Sequence, residues 1–587
     1  MAEPVPFKIL GKYDKQKFVQ FNPEDTSNWY LAKSENGKNG VAMYPLPGRK
    51  HVNFLNINKL IFANEPRGLF KTIDFFYVVD GNKIYRFDSL FNQIEITGGQ
   101  LVTSTTPLFF TYVIVNTIVF ACFADGQKLY IYREDTGVFS VVTDTSLNGI
   151  KPLFLAFFGN RLVVSGEGSS QYFLSVLNLG GNSFNPATCF GNGTATFATE
   201  VGIIRQMTVF KSILYIFTDY KTGIWANIPS IFSGTGVQFP FKRSTSYEWQ
   251  YGILDALSLA NGFSKLTWLG QNEDGLVQVL LSEGDNPRPI STKAIDLLFQ
   301  PDDTEGALSP FVEFDANGFL YQLDNTVLYR LSAGVSQNLG LVNFSEPANS
   351  IEYNYDTDTW HRATELDGSR NLIQKHIYFN NMHLVTVQGD KTVYQMSDQF
   401  YINELRNPLQ SNPQAVDAYN QFPFLYQRVT PIIREDDDGE FITDWVQIDF
   451  VWGLDDFINA NVPFQNIQFI IAEQPDADGN PVYIVSESDL NAYMITENSN
   501  FPTPGDITYY NFYKPHIELY YSDDGGISYL PADVLEFSQL GFYLWRMRWY
   551  QLGASRLRVY KLICISPAPV VVLGGLMSKR RASGGAS

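Results

Sequence analysis

Histidine, cysteine and methionine are scarce in this chain of 587 residues, with five His, 3 Cys and 8 Met. The histidines, at 51, 361, 376, 383 and 516, form no H-E-x-x-H run, and His376 and His383, seven apart, would face opposite sides of one strand, so no ligand pair is expected. Cys122, Cys189 and Cys564 lie far apart without a C-x-x-C spacing, which excludes a disulfide framework and a cysteine zinc site. Long Ala/Glu/Lys/Leu runs, the material of helices, are missing. No stretch reaches the ~18 apolar residues of a membrane helix. The start, MAEPVPFKILGKYDKQ, lacks the apolar segment of a secretion signal, so assembly in a cytoplasm is expected. Acyl transfer and nucleotide hydrolysis lack their G-x-S-x-G and Walker A runs. Basic stripes are lacking too: the net charge is −19, and the one basic run is Lys579-Arg580-Arg581. Gripping duplex DNA by its phosphates needs such a stripe. Acidity gives solubility, or a wall past which DNA slides without sticking.

Aromatic residues are abundant at 15%, with 46 Phe and 33 Tyr, and 45 Gly and 29 Pro punctuate short apolar runs. This composition predicts an all-β chain with many turns. From about 66 to 400 a unit recurs, an apolar strand, a Gly-containing turn and a second strand, as in FFYVVDGNKIYRFD from Phe75 and IVFACFADGQKLYIYRE from Ile118. Repeats of about 40–50 residues holding several short strands predict propeller blades, with stacked sandwiches as the rival. One short helix is expected near 291–299, with Ser291 as its N-cap and Ala294, Ile295, Leu297 and Leu298 on its apolar face.

The chain therefore divides into an irregular N-terminal arm (1–65), a β-propeller-like domain (66–400), a β-sandwich-like platform domain (401–573) and a flexible Gly/Ser-rich tail (574–587). A linker is expected around Asn407-Pro408 and Asn412-Pro413, and strands at Leu425–Ile433, Phe441–Trp452 and Phe464–Ile471. The acidic runs Asp436-Asp437-Asp438-Gly439-Glu440 and Asp476-x-Asp478-Gly479-Asn480 have the composition of calcium loops. Their glycine is misplaced for an EF-hand and strands flank them, so Asx-rich turns account for them and no metal or cofactor is expected.

The closing block is the most informative. Ile517 to Gly575 alternates as three strands, and Ser522, Asp524, Gly526 and Tyr529 follow the S-x-D-x-G-x-x-aromatic spacing of a structural Asp-box turn. Trp545, Arg546, Arg548 and Trp549 alternate along one strand, the tryptophans toward the core and the arginines away. Arg556 and Arg558 are read as sharing a face of the next strand.

This block resembles the C-terminus of the packaged-DNA stabilisation, or tail accessory, proteins of short-tailed bacteriophages. The resemblance runs from the SDDGG turn through Trp545-Arg546, Arg548-Trp549, Leu552-Gly553, Ser555-Arg556 and Val570–Leu573. Further patches are Gly284-Asp285 with Pro289–Asp296, and Trp268-Leu269-Gly270 with Asp274–Val277, followed by Trp360-His361-Arg362. Together they extend from about Pro45 to Gly575. The resemblance implies a virion protein, six copies of which form a ring-shaped tail nozzle below the portal and its adaptor. Such a ring retains packaged double-stranded DNA, conducts it on ejection and docks tail fibres, spikes or a needle, without catalysis. Trp545, Arg546, Arg548, Trp549 and Arg556 are then candidates for the subunit interface. The alternatives are a sialidase-like propeller enzyme, which needs an arginine cluster, a tyrosine nucleophile and a nearby acid, a glycan-binding tail protein, and a soluble propeller scaffold.

Overall fold

The structure, a computed structural model, describes residues 4–33, 40–52, 60–228, 230–231, 238–244, 248–299, 314–323, 325–335, 349–406, 419–435, 439–452, 516–537, 544–566 and 568–581. It is mostly strand (57%), with one short α-helix among these residues. The expected linker after Arg406, the strand at 464–471, the 436–438 carboxylates and the 476–480 loop lie outside them. Two compact units emerge: Lys12–Phe18 with Arg49–Ser397, and Met1–Gly11 with Val19–Gly48 and Asp398–Ser587.

In the first unit the repeated strand–turn–strand pattern becomes, among the described residues, seven successive antiparallel blades, at 66–95, 109–141, 152–199, 204–243, 260–289, 314–362 and 373–397. Runs such as Phe76–Asp80 (FYVVD) and Ile118–Ala124 (IVFACFA) read as almost continuously apolar because these strands are buried on both faces. The turn aspartates, spaced 45 residues apart, are fully engaged. Asp125 accepts from Gln127 N and Lys128 N at 2.9 and 2.8 Å, and from Tyr130 Oη at 3.0 Å. Asp80 accepts from Ala63 N and Asn64 N. Burial pushes the Asp125 carboxyl up, but the backbone donors of Lys128, Thr103 and Gln127 outweigh it and hold it below the ordinary carboxylate value.

Apolar side chains join consecutive blades. Tyr77 and Val79 of blade 1 share a core with Phe123 and Tyr130 of blade 2, and Cys122 of blade 2 shares one with Leu155 and Val164 of blade 3. The series continues through Val163 with Leu214, Phe217 with Trp268, and Leu269 with Tyr329. Ile377 and Leu384 of blade 7 pack with Phe76 and Val78 of blade 1, which closes the ring. Residues before blade 1 reinforce that closure: Phe62 N donates to Lys391 O and Val393 N to Leu60 O. The helix is Lys293–Asp296, continued by a 3-10 turn at Leu297–Phe299. Its N-cap is Thr292, not Ser291: Thr292 Oγ1 accepts from Ile295 N, while Ser291 Oγ is taken by Val279 N.

The second unit is a sandwich. One sheet has the order Trp29–Lys33, Val41–Pro45, Val570–Arg581, Phe441–Trp452, Trp545–Ser555, with Pro4–Phe7 also on Val570–Arg581. The other runs Ile402–Arg406, Tyr419–Val429, Val559–Ser566, His516–Ser522, Leu530–Glu536. Both sheets feed one core, with Val446, Ile448 and Trp549 from the first and Tyr426, Leu519 and Leu562 from the second.

Two expectations change here. The first 65 residues are not an irregular arm. They carry strands at Pro4–Phe7, Asp25–Ser27, Trp29–Lys33, Val41–Pro45 and Gly48–His51, and most of them belong to the sandwich. The reason is a set of long-range polar anchors: Trp29 Nε1 donates to Val570 O at 2.7 Å, and buried Arg428 reaches Ile9 O and Glu24 Oε1, each at 2.7 Å. Nor are residues 574–581 a flexible tail. They continue the strand Val570–Arg581, where Lys579 pairs with Glu435 and Arg580 with Asp444.

Candidate functional site

The four Asp-box residues converge in one turn between His516–Ser522 and Leu530–Glu536. Ser522 Oγ donates to Asp524 Oδ1 at 2.6 Å and accepts from Gly526 N at 2.8 Å. Asp524 also accepts from Ile527 N and Ser528 N at 2.9 and 3.0 Å. Gly525 and Gly526 have φ of +79° and +97°, and a Cβ on Gly526 would lie 2.9 Å from that of Pro23. Hydrogen bonds from Ser522 and Ser528 hold the Asp524 carboxyl well below its ordinary value. Tyr529 lies alongside, its hydroxyl pushed up to about 12 by burial and by Asp25 and Asp524. The carboxylate is committed to the turn's own donors, which is a structural task.

The strand Trp545–Ser555 alternates as its sequence predicts. Met547 and Trp549 are buried and Trp545 packs against the same core, its ring 6.3 Å from Phe537. Arg546, Arg548 and Tyr550 face outward. Arg546 Nε lies 3.2 Å from Asp449 Oδ1, with the arginine side chain 62% exposed. Arg548 bonds Gln447 and sits over the Trp445 ring at 4.5 Å, with Tyr550 at 6.0 Å. Among the described residues this strand is the last in its sheet's order. It therefore presents aromatic and guanidinium groups on one face, the residue types that dominate interface energetics.

Arg556 and Arg558 do not share a face. The strand ends at Ser555, so Arg556 is exposed at a bend, while Arg558 is buried and forked onto Asp523 at 2.7 and 3.0 Å. Arg558 also lies over the Tyr521 ring at 4.8 Å. It is the arginine that ties the Asp-box hairpin to the sheet, and sequence reading passed over it because the break at 556–557 has no Gly or Pro to signal it. One compositional signal was available: after Glu536 the chain has eight Lys or Arg and no acidic residue, against a net charge of −19 overall.

His376 and His383, expected on opposite faces of one strand, stand on the paired strands Ile373–Phe379 and Met382–Val387 and meet at 2.9 Å. Among the described residues no group of three His, Cys, Asp or Glu could hold a metal ion. A cleft of about 490 Å³ in the propeller is lined by Lys71, Asp74, Asp88 and Tyr378 among others, with no arginine. Asp88 is already engaged by Leu90 N and Asn92 N. No described helix is long and apolar enough to cross a membrane.

No protein-family model and no curated protein matches the chain. Among solved structures it is similar to one described as the extracellular domain of a one component system from B. thetaiotaomicron, at 9% identity and TM-score 0.34, over 66% of this chain and 51% of that one. It is also similar to BBS1N in complex with ARL6DN, at 10% identity and TM-score 0.26, over 56% and 92% of the two chains. The chain thus spans about half the length of the first of these, and at such scores neither likeness bears on its activity.

Proposed function

We propose that the chain is a virion structural protein without enzymatic activity, one subunit of a ring-shaped assembly that acts sterically and electrostatically: the tail nozzle of a short-tailed bacteriophage. Six copies form the ring below the portal and adaptor, retain packaged DNA, conduct it during ejection and dock fibres, spikes or a needle. The observation that carries this reading is the outward face of Trp545–Ser555, where Arg546, Arg548 and Tyr550 present interface chemistry within the block that resembles the family most. The net charge of −19 supports a conduit that repels phosphate. Duplex DNA should then bind weakly even at low salt, because few counterions are released. Negative-stain images of the purified full chain test the reading: rings with a central hole support it. Isolated particles at all concentrations, together with glycoside hydrolysis, would favour the propeller enzyme.

A further inference from the structure

The joint between blades 6 and 7 differs from its neighbours in carrying an ionic row inside it. Phe319, Arg330, Glu352 and His361 lie directly opposite one another across the four strands of blade 6. Arg330, Glu352 and His361 are each no more than 1% exposed. Glu352 accepts from Arg330 Nε and lies 2.9 Å from His361 Nε2, so its charge is already matched. Arg330 Nη1 reaches Asn371 Oδ1 at 3.2 Å, in the segment leading into blade 7, and Ser332 Oγ reaches Ile373 O.

Against this row stands the histidine pair of blade 7. His376 stacks on Phe319, with centroids 5.0 Å apart, and bonds His383, which meets Tyr321 edge-on at 6.3 Å. The charged groups acting on His376 are cations, Arg330 from blade 6 and Lys71 from blade 1, with His383 as its titrating neighbour. Phe319 and Tyr321, whose ring faces would favour a cation, already carry Arg330 at 5.8 and 5.7 Å. A proton on this pair would therefore add positive charge beside Arg330 and Lys71, while the Glu352 carboxylate is already engaged by Arg330 and His361.

We propose that the joint between blades 6 and 7 is an acid-sensitive latch. Proton uptake by the His376–His383 pair opens the propeller ring there, ahead of the six joints that are built on apolar cores. Burial first, then His383 and the two cations, depress His376 well below its ordinary value. A depressed histidine takes up a proton when the joint opens. Closure is thus fully favoured above about pH 6.5 and weakens as pH falls below it, levelling off beneath the folded value. The opening constant should rise up to about tenfold per pH unit for each proton taken up.

The test is hydrogen exchange on the full chain at pH 7.5 and 5.0, with rates corrected for intrinsic chemistry. Peptides from 314–335 and 373–387 should lose protection at pH 5.0 while those from 109–141 and 152–174 keep it. In the double variant His376→Gln/His383→Gln the acid-dependent loss should vanish, and His376→Phe, which preserves the stack on Phe319, should reduce it. Equal change across all blades of the wild-type chain would overturn the proposal, as would an undiminished local loss in a folded variant. If neither variant folds, the wild-type comparison alone decides.

Discussion

The propeller distributes its apolar burial over separate cores between consecutive blades, whereas the sandwich gathers Phe7, Trp29, Val446, Leu519 and Val572 into one core drawn from both ends of the chain. In the propeller most hydrogen-bonded strands are sequence neighbours. In the sandwich the decisive bond, Trp29 Nε1 to Val570 O, joins residues 541 apart. Local pairing makes a fold periodic and tolerant of single losses. Long-range pairing makes it depend on a few anchors that no short window of sequence contains.

The largest expected effect falls on such an anchor. Arg428→Ala strips the buried partner of Glu24 and should destabilise the sandwich by about 3–5 kcal/mol, the usual cost of breaking a buried ion pair. Next, Leu384→Ala at the joint closing blade 7 onto blade 1 should cost about 2–5 kcal/mol in the propeller. Urea denaturation followed by hydrogen exchange separates the two: each variant should weaken its own unit first. If both variants weaken the same unit, the contrast between the units is wrong.

Smaller effects sharpen the comparison. Asp524→Ala leaves turn donors unsatisfied and should cost roughly 1–3 kcal/mol. Because the folded carboxyl is depressed below its unfolded value of about 3.9, its contribution is present above that pH and lost as pH falls through the folded value. The variant's acid unfolding curve should accordingly be flatter below about pH 4. Arg548→Ala, on an exposed face, should change stability by about 1 kcal/mol or less yet reduce ring formation. Analytical ultracentrifugation checks both halves of that statement.

Much of the propeller was legible because Asp80 and Asp125 recur with the period of the blades and because buried strands read as apolar runs. The helix was found, but its cap moved by one residue: Ser291 and Thr292 are equally good caps in sequence, and only pairing with Val279 decides between them. In the candidate site the inward tryptophans and outward arginines followed from alternation. Arg558 and the contact between His376 and His383 did not, since one depends on a break after Ser555 and the other on a hairpin register. The N-terminal strands escaped for a similar reason, being short and completed by partners four hundred or more residues away.

The central claim is that the propeller is a self-sufficient ring of blades and that assembly belongs to the sandwich. The most direct measurement takes residues 49–397 alone, by circular dichroism, cooperative melting and sedimentation, beside the full chain. The fragment should be strand-rich, melt cooperatively and remain monomeric, whereas the full chain should form rings. A fragment that is unfolded, or one that still assembles into rings, would contradict the account.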